Sequence, residues 1–225
     1  MLNGALYSLQ YDVLNDFAPI SPLATAPLIL FARKTMAARD LTELNVWLKA
    51  NPNKASAGIF TPVTRLLTAF FQKETGTHFA LVPYRGAAPA MQDLAASQID
   101  LSFSGVVPLP LVQAGSIKAY AVTSDRRLAK APDIPTFAEM GLPALSFSEW
   151  FGLFAPKGTP KEIIGKLNAA AVEALADPAV RSRLVDIGLE VFPRERQTPE
   201  ALGALMKADS EKWWPLIKEF GLKAE

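Results

Sequence analysis

Three short runs of small and hydroxylated residues carry the plainest chemical potential in this chain. They are Ser56-Ala57-Gly58 with Thr61-Pro62, Tyr84-Arg85-Gly86-Ala87-Ala88, and Ser104-Gly105. Each follows an apolar run of strand length, and a helix signal begins within a few residues. A helix start leaves backbone N–H groups unpaired and carries the positive end of the helix dipole. Several such starts around one cleft would hold a carboxylate or phosphate without any excess of formal charge. Thr61 and Ser104 add hydroxyl donors, Ser56 is a further one, and Arg85 is a candidate bidentate partner for a carboxylate. The competing reading is that these are ordinary strand-to-helix turns with a solvated arginine at one of them.

Other chemistry is poorly supported. Neither a phosphate-loop nor a dinucleotide fingerprint is present. The chain has no Cys and one His, His78, which excludes thiolate chemistry, disulfides and a multi-histidine metal site within one chain. A hydrolase would have to use His78, yet no G-x-S-x-G elbow exists. Asp93, Asp100, Asp133 and Glu139 lack a diagnostic spacing for glycoside chemistry. An enzyme built on Arg85, Asp100 and His78 would need all three side chains in one pocket. The formal charge of +1, from 23 basic and 22 acidic residues, argues against a nucleic-acid partner. The expectation is therefore no catalytic residue, no metal and no cofactor. Trp150 begins an apolar strand and either lines a cleft or fills a core. Trp213-Trp214, at helical spacing with Leu205, Leu216 and Ile217, reads as packing.

The elements that position these runs alternate strand and helix between residues 27 and 122. Asp40 or Thr42 caps a helix to about Ala50. Thr61-Pro62 opens one that ends at Gly76, Pro89 opens another to about Ala96, and a short one lies around Pro108–Ala114. The strands between them read as Ile59-centred, His78–Pro83, Ile99–Phe103 and Ile117–Val122. This alternation predicts an α/β fold with a mainly parallel sheet and helices on both faces. The first thirty residues, with Pro19, Pro22 and Pro27, read as turns before a strand at Pro27–Phe31. Thr136 with Glu139 predicts a short capped helix. Trp150–Ala155 is a strand, and three helices follow. Thr159-Pro160-Lys161-Glu162, Asp177-Pro178 and Thr198-Pro199-Glu200 open them, and Pro215 should kink the last. Met1–Tyr7 shows neither a basic n-region nor a long apolar stretch, so no export signal is read there.

Several stretches, in order and spacing, resemble the solute-binding proteins of tripartite tricarboxylate transporters, the Bug or TctC family. Leu6-Tyr-Ser-Leu-Gln-Tyr-Asp-Val-Leu-Asn-Asp-Phe-Ala-Pro-Ile20 resembles the pattern LY..L.YD...DF.PI. Val82-Pro-Tyr-Arg-Gly-Ala-Ala-Pro-Ala90 with Asp93-Leu94 resembles VPYKG.APA..DL. Ala121–Ser124, Pro132–Thr136 with Glu139 and Gly141, and Trp150–Pro160 continue the match, so the resemblance covers almost the whole chain.

The resemblance implies a two-lobed periplasmic-binding-protein type II fold that closes on a small carboxylate. It places the first lobe in 1–32 plus 150–225 and the second in 33–149. The family's opening strand and binding loop have no counterpart, so the first lobe is expected to be incomplete. Carried over by position, the ligand-binding residues would be Ser56, Gly58, Phe60, Thr61, Tyr84, Arg85, Gly86, Ser104, Gly105 and Trp150. Phe60 stands where the family has glycine, and Ser104 where it has aspartate, which argues against amino-acid ligands. The implied role is a periplasmic receptor feeding membrane transporter subunits, with no enzymatic activity. The alternative is a truncated remnant that no longer binds, dimeric through an exposed first lobe.

Overall fold

The computed structural model describes residues 2–222. Along the chain run α1 (Asn3–Leu6), β1 (Phe17–Pro27), β2 (Ile29–Arg33), α2 (Leu41–Ala50), β3 (Ser56–Ile59), α3 (Pro62–Thr75), β4 (Ala80–Pro83) and α4 (Ala87–Ala95). Then follow β5 (Leu101–Ser104), α5 (Leu109–Gln113), β6 (Ile117–Val122), β7 (Ser148–Pro156), α6 (Lys161–Ala176), α7 (Pro178–Asp186), β8 (Glu190–Val191) and α8 (Pro199–Glu219). The chain divides into two compact units, Pro27–Ser148 and the segments on either side of it. The expected lobe boundary at 32/33 would cut β2, but all of β2 lies inside the Pro27–Ser148 sheet, so the division falls at Ala26/Pro27.

The Pro27–Ser148 unit holds a five-stranded sheet in the order β4-β3-β5-β2-β6. β3 pairs in parallel with both β4 and β5. β2 pairs antiparallel with both β5 and β6, so β6 runs in the same direction as β5. The sheet is thus mixed rather than mainly parallel in its pairings, because β2, between β5 and β6, runs opposite to the other four strands. The carboxyl ends of β3, β4, β5 and β6 nevertheless share one edge. Successive side chains on a strand alternate between faces. Ile29 and Phe31 of β2 meet Ala90, Met91 and Leu94 of α4 and Leu109 of α5 on one face. On α3, Phe71 packs its ring 6.3 Å from each of Phe79, Phe103 and Phe137.

The local signals explain most of these elements. Asp40 caps α2 by accepting from the Glu43 N–H, and Thr61 caps α3 with Pro62 behind it. Gly76 closes α3 in the left-handed region at φ 63°, a conformation that costs a residue with a Cβ far more than glycine. Asp177 and Thr198 cap α7 and α8 as expected. Two start signals behave differently. Pro160, not Thr159, is the N-cap of α6, and the Thr159 hydroxyl donates to the Pro156 carbonyl instead. Thr136 and Glu139 exchange the two hydrogen bonds of a capping box, but the turn they close does not propagate into a helix. Pro215 lies within α8, which continues through it to Glu219.

The flanking unit holds a three-stranded sheet in the order β7-β1-β8. β1 is an eleven-residue strand, where the local proline pattern predicts turns. Its prolines donate no hydrogen bonds, and β8 pairs with it only at Ala24 and Thr25, between Pro22 and Pro27. α8 buries Leu202, Met206, Trp213 and Ile217. A Cβ added to Gly152 of β7 would come within 2.7 Å of the Leu202 side chain, so β7 and α8 are in close contact.

Candidate functional site

The shared carboxyl edge of the five-stranded sheet collects Phe60-Thr61 after β3, Tyr84-Arg85-Gly86 after β4, Gly105 after β5 and Thr123-Ser124 after β6. Open α/β sheets bind ligands beyond this edge. The three small-residue turns do converge here, but they are not chemically equivalent.

At the β3–α3 turn most of the donors are already used. The Thr64 Oγ1 accepts from the N–H groups of Phe60 and Thr61, both at 3.0 Å. The Thr61 Oγ1 accepts from the Thr64 N–H at 3.1 Å. Pro62 has no N–H to offer. The two threonines satisfy the N–H groups of Phe60, Thr61 and Thr64 from within and leave that of Val63, so Thr61 serves as a cap and not as a free hydroxyl.

At the β4–α4 turn the donors are open. No side chain caps α4, whose N-cap is Gly86 in an extended conformation. Pro89 occupies the third helical position and lacks an N–H. The N–H groups of Ala87 and Ala88 have no intrahelical partner by position. A Cβ built on Gly86 meets nothing within 4 Å, so the space before these donors is free. Arg85 is exposed at the same turn.

Tyr84 does not extend a hydroxyl toward this space. Its Oη donates to the Asp93 carboxylate of α4 at 2.7 Å. Burial and that carboxylate push the phenol up to about 12, so it stays protonated. The ring lies across Gly58, where an added Cβ would sit 3.3 Å from Tyr84 and 2.7 Å from Ile99. Gly58 is buried in β3, where this packing leaves no room for a Cβ.

Ser104 ends β5 and is only 4% exposed. Its side chain has no hydrogen-bond partner among the described residues. Gly105 after it is half-buried, with room for a Cβ. α5 beyond it has five residues, too few to offer a strong N-terminal field. Thr123 and Ser124 also reach this edge, a position the turn pattern missed because neither glycine nor a helix follows β6. The Thr123 Oγ1 accepts from the Leu28 N–H at 2.9 Å, and the Ser124 Oγ donates to the Arg126 carbonyl.

Ser56 lies at the opposite edge of the sheet. Its N–H and hydroxyl donate to the Asp100 Oδ2 at 2.8 and 3.1 Å, and the Arg33 Nε donates to the Oδ1 at 2.6 Å. This corrects Ser56 as a ligand residue: it opens β3 rather than ending it. Asp100 and exposed His78 precede β5 and β4 at that same edge, whereas Arg85 follows β4. The three side chains of the enzyme reading therefore do not converge. Trp150, in the flanking unit, donates its indole Nε1 to the Asp209 Oδ2 at 2.6 Å. Burial raises the Asp209 carboxyl above its ordinary range, and the Trp150 hydrogen bond opposes that rise.

A family model described as the tripartite tricarboxylate transporter family receptor, TctC, matches residues 5–222. This chain belongs to the TctC family. A protein encoded in the tcbD-tcbE intergenic region of Pseudomonas sp. strain P51 is 36% identical to this TctC chain over 221 residues, 96% of the chain. The solved periplasmic binding protein BugD is 32% identical over 98% of the chain, with a TM-score of 0.84. MatC (Rpa3494) from Rhodopseudomonas palustris, solved with bound malate, is 32% identical over 96% of the chain, also with a TM-score of 0.84. The TctC chain spans 65% of the length of the Pseudomonas relative and 75% and 74% of the two solved chains. Its fold is the mixed α/β architecture of these periplasmic binding proteins. No helix among the described residues is long and apolar enough to cross a membrane.

Proposed function

We propose that this chain is a periplasmic solute-binding receptor for a small carboxylate, delivering it to a tripartite tricarboxylate-type transporter and performing no catalysis. The observation that carries the reading is the open N-terminus of α4. Ala87 and Ala88 offer unpaired N–H groups, Gly86 leaves the approach clear, and Ser104 has a free hydroxyl at the same sheet edge. Backbone donors and a helix dipole bind an anion without net charge, in keeping with a chain of charge +1. Family membership and the malate held by MatC support the ligand class.

The test is isothermal calorimetry of the chain against mono-, di- and tricarboxylates, with Gly86→Val beside it. A valine Cβ fits the Gly86 backbone and space but its methyl groups cover the α4 donors. Gly86→Val is expected to weaken carboxylate binding roughly 100-fold, about 2.7 kcal/mol, with an unchanged thermal midpoint. Equal affinity in both chains would remove α4 from the site, and no response to any acid would refute the receptor reading.

A second reading concerns assembly. The flanking unit exposes Phe151 and Leu153 on β7, Ile163 and Leu167 on α6, and Val185 and Ile187 near the end of α7. β7 is also an edge strand. Exposed apolar area beside an open strand edge favours a homodimer through this unit. Light scattering across a concentration series is expected to give a dimer that Phe151→Lys with Leu167→Lys converts to monomer. A monomer for the unaltered chain at high micromolar concentration rules the dimer out.

A further inference from the structure

We propose that the Phe60 ring sets the ligand class, selecting a monocarboxylate with an apolar body of aromatic size over compact dicarboxylates. The proposal rests on the reading that the carboxyl edge around α4 holds the carboxylate.

Strand register supplies the geometry. Gly58 pairs with Val82 on one side and with Ser102 on the other. Two residues further along each strand, Tyr84, Phe60 and Ser104 therefore stand abreast at the carboxyl edge. All three are on the face that α4 covers, because side chains two apart share a face. The two neighbours of Phe60 differ. The Tyr84 hydroxyl is tied down to Asp93, and Ser104 is almost fully buried with a hydroxyl that meets no partner. Phe60 is half-buried against the apolar cluster beneath α4, so part of its ring remains uncovered at the edge.

The chemistry follows from what surrounds the α4 donors. The residues next to them are small, Gly86, Ala87 and Ala88, with exposed Arg85 one residue before Gly86. Of the two bulky rings in the row, both half-buried, Phe60 is the one that carries no polar atom. A ligand whose carboxylate meets the Ala87 and Ala88 N–H groups and the Ser104 hydroxyl would lay its body along that ring. An aryl or alkyl body gains by covering apolar surface there. A second carboxylate in the same place would lose hydration and find no donor on the ring.

Calorimetry with four probes distinguishes the outcomes: 3-phenylpropionate, hexanoate, succinate and malate, titrated into the whole chain, Phe60→Ala and Phe60→Leu. The unaltered chain is expected to prefer 3-phenylpropionate to succinate by at least 10-fold. Phe60→Ala should lower affinity for 3-phenylpropionate and hexanoate about 10-fold and leave succinate and malate unchanged or tighter. Phe60→Leu should fall between them, and melting curves for each variant report whether the unit is still folded. A folded Phe60→Ala that weakens all four acids equally, or an unaltered chain that prefers the dicarboxylates, overturns the proposal while the carboxylate site stands. If no acid binds any of the chains, the underlying site reading fails and this proposal with it.

Discussion

Phe71→Ala is expected to destabilise the Pro27–Ser148 unit by about 3–5 kcal/mol. Phe71 is fully buried on α3, and its ring meets those of Phe79, Phe103 and Phe137. Phe79 lies on the approach to β4, Phe103 on β5 and Phe137 in the loop after β6, so this one ring of α3 joins four segments. Removing it creates a cavity that four separately anchored segments cannot easily close. It also forfeits aromatic edge contacts of about 0.5–1.5 kcal/mol each. Amide hydrogen exchange is the suitable measurement, because it reports the two units separately. Amides of β3, β5 and α3 should lose protection while those of α8 keep theirs. A loss below about 1 kcal/mol would mean that the site collapses around the gap.

Asp100→Ala is expected to cost about 2–4 kcal/mol in the same unit. The carboxylate accepts from the Arg33 Nε and from the N–H and hydroxyl of Ser56. It thereby ties the end of β2 to the beginnings of β3 and β5. The Asp100 backbone adds to the junction, donating to the Ser56 carbonyl and accepting from the Arg33 N–H. Alanine removes three acceptor contacts and leaves a partly buried guanidinium without its counter-ion. Arg33→Ala together with Asp100→Ala should cost less than the sum of the two single substitutions, since the second change removes the stranded charge. Urea unfolding followed by circular dichroism measures all three chains. Strict additivity would show that the ion pair contributes nothing beyond its separate members. Carboxylate affinity should be unaffected in the folded Asp100→Ala chain, because this cluster lies at the edge opposite α4.

The contrast between these two edges shows how far the sequence could be read. Helix starts depend on residues within one turn of each other. Asp40, Thr61, Asp177 and Thr198 were therefore legible as caps, and Gly76 as a stop. The alternation of strands and helices was legible too, and with it the α/β class. The chained motifs indicated the TctC family before any contact was known. The prolines of β1 misled the reading, because a local pattern cannot show that a strand has pairing partners that do not need those N–H groups.

The site itself was only half legible. The three small-residue turns were correctly marked as one group, since each follows a strand of a common direction. Which of them keeps open donors was decided by side chains filling or leaving each helix end. Thr64 reaches back over one turn and accepts from the Phe60 and Thr61 N–H groups of the first. Pro89 and Gly86 leave those of the second open. Tyr84 turns its hydroxyl to Asp93, Gly58 serves packing, and Ser56 sits at the far edge with Asp100, 44 residues away in sequence. The sequence by itself determined most helix starts and stops, the family and the absence of thiol or multi-histidine chemistry, because these depend on composition and on spacing within a few residues. Only the tertiary structure decided the direction of β2, the edge each residue occupies and the freedom of each polar group. Those properties are set by contacts between segments distant in the chain, which no local pattern encodes.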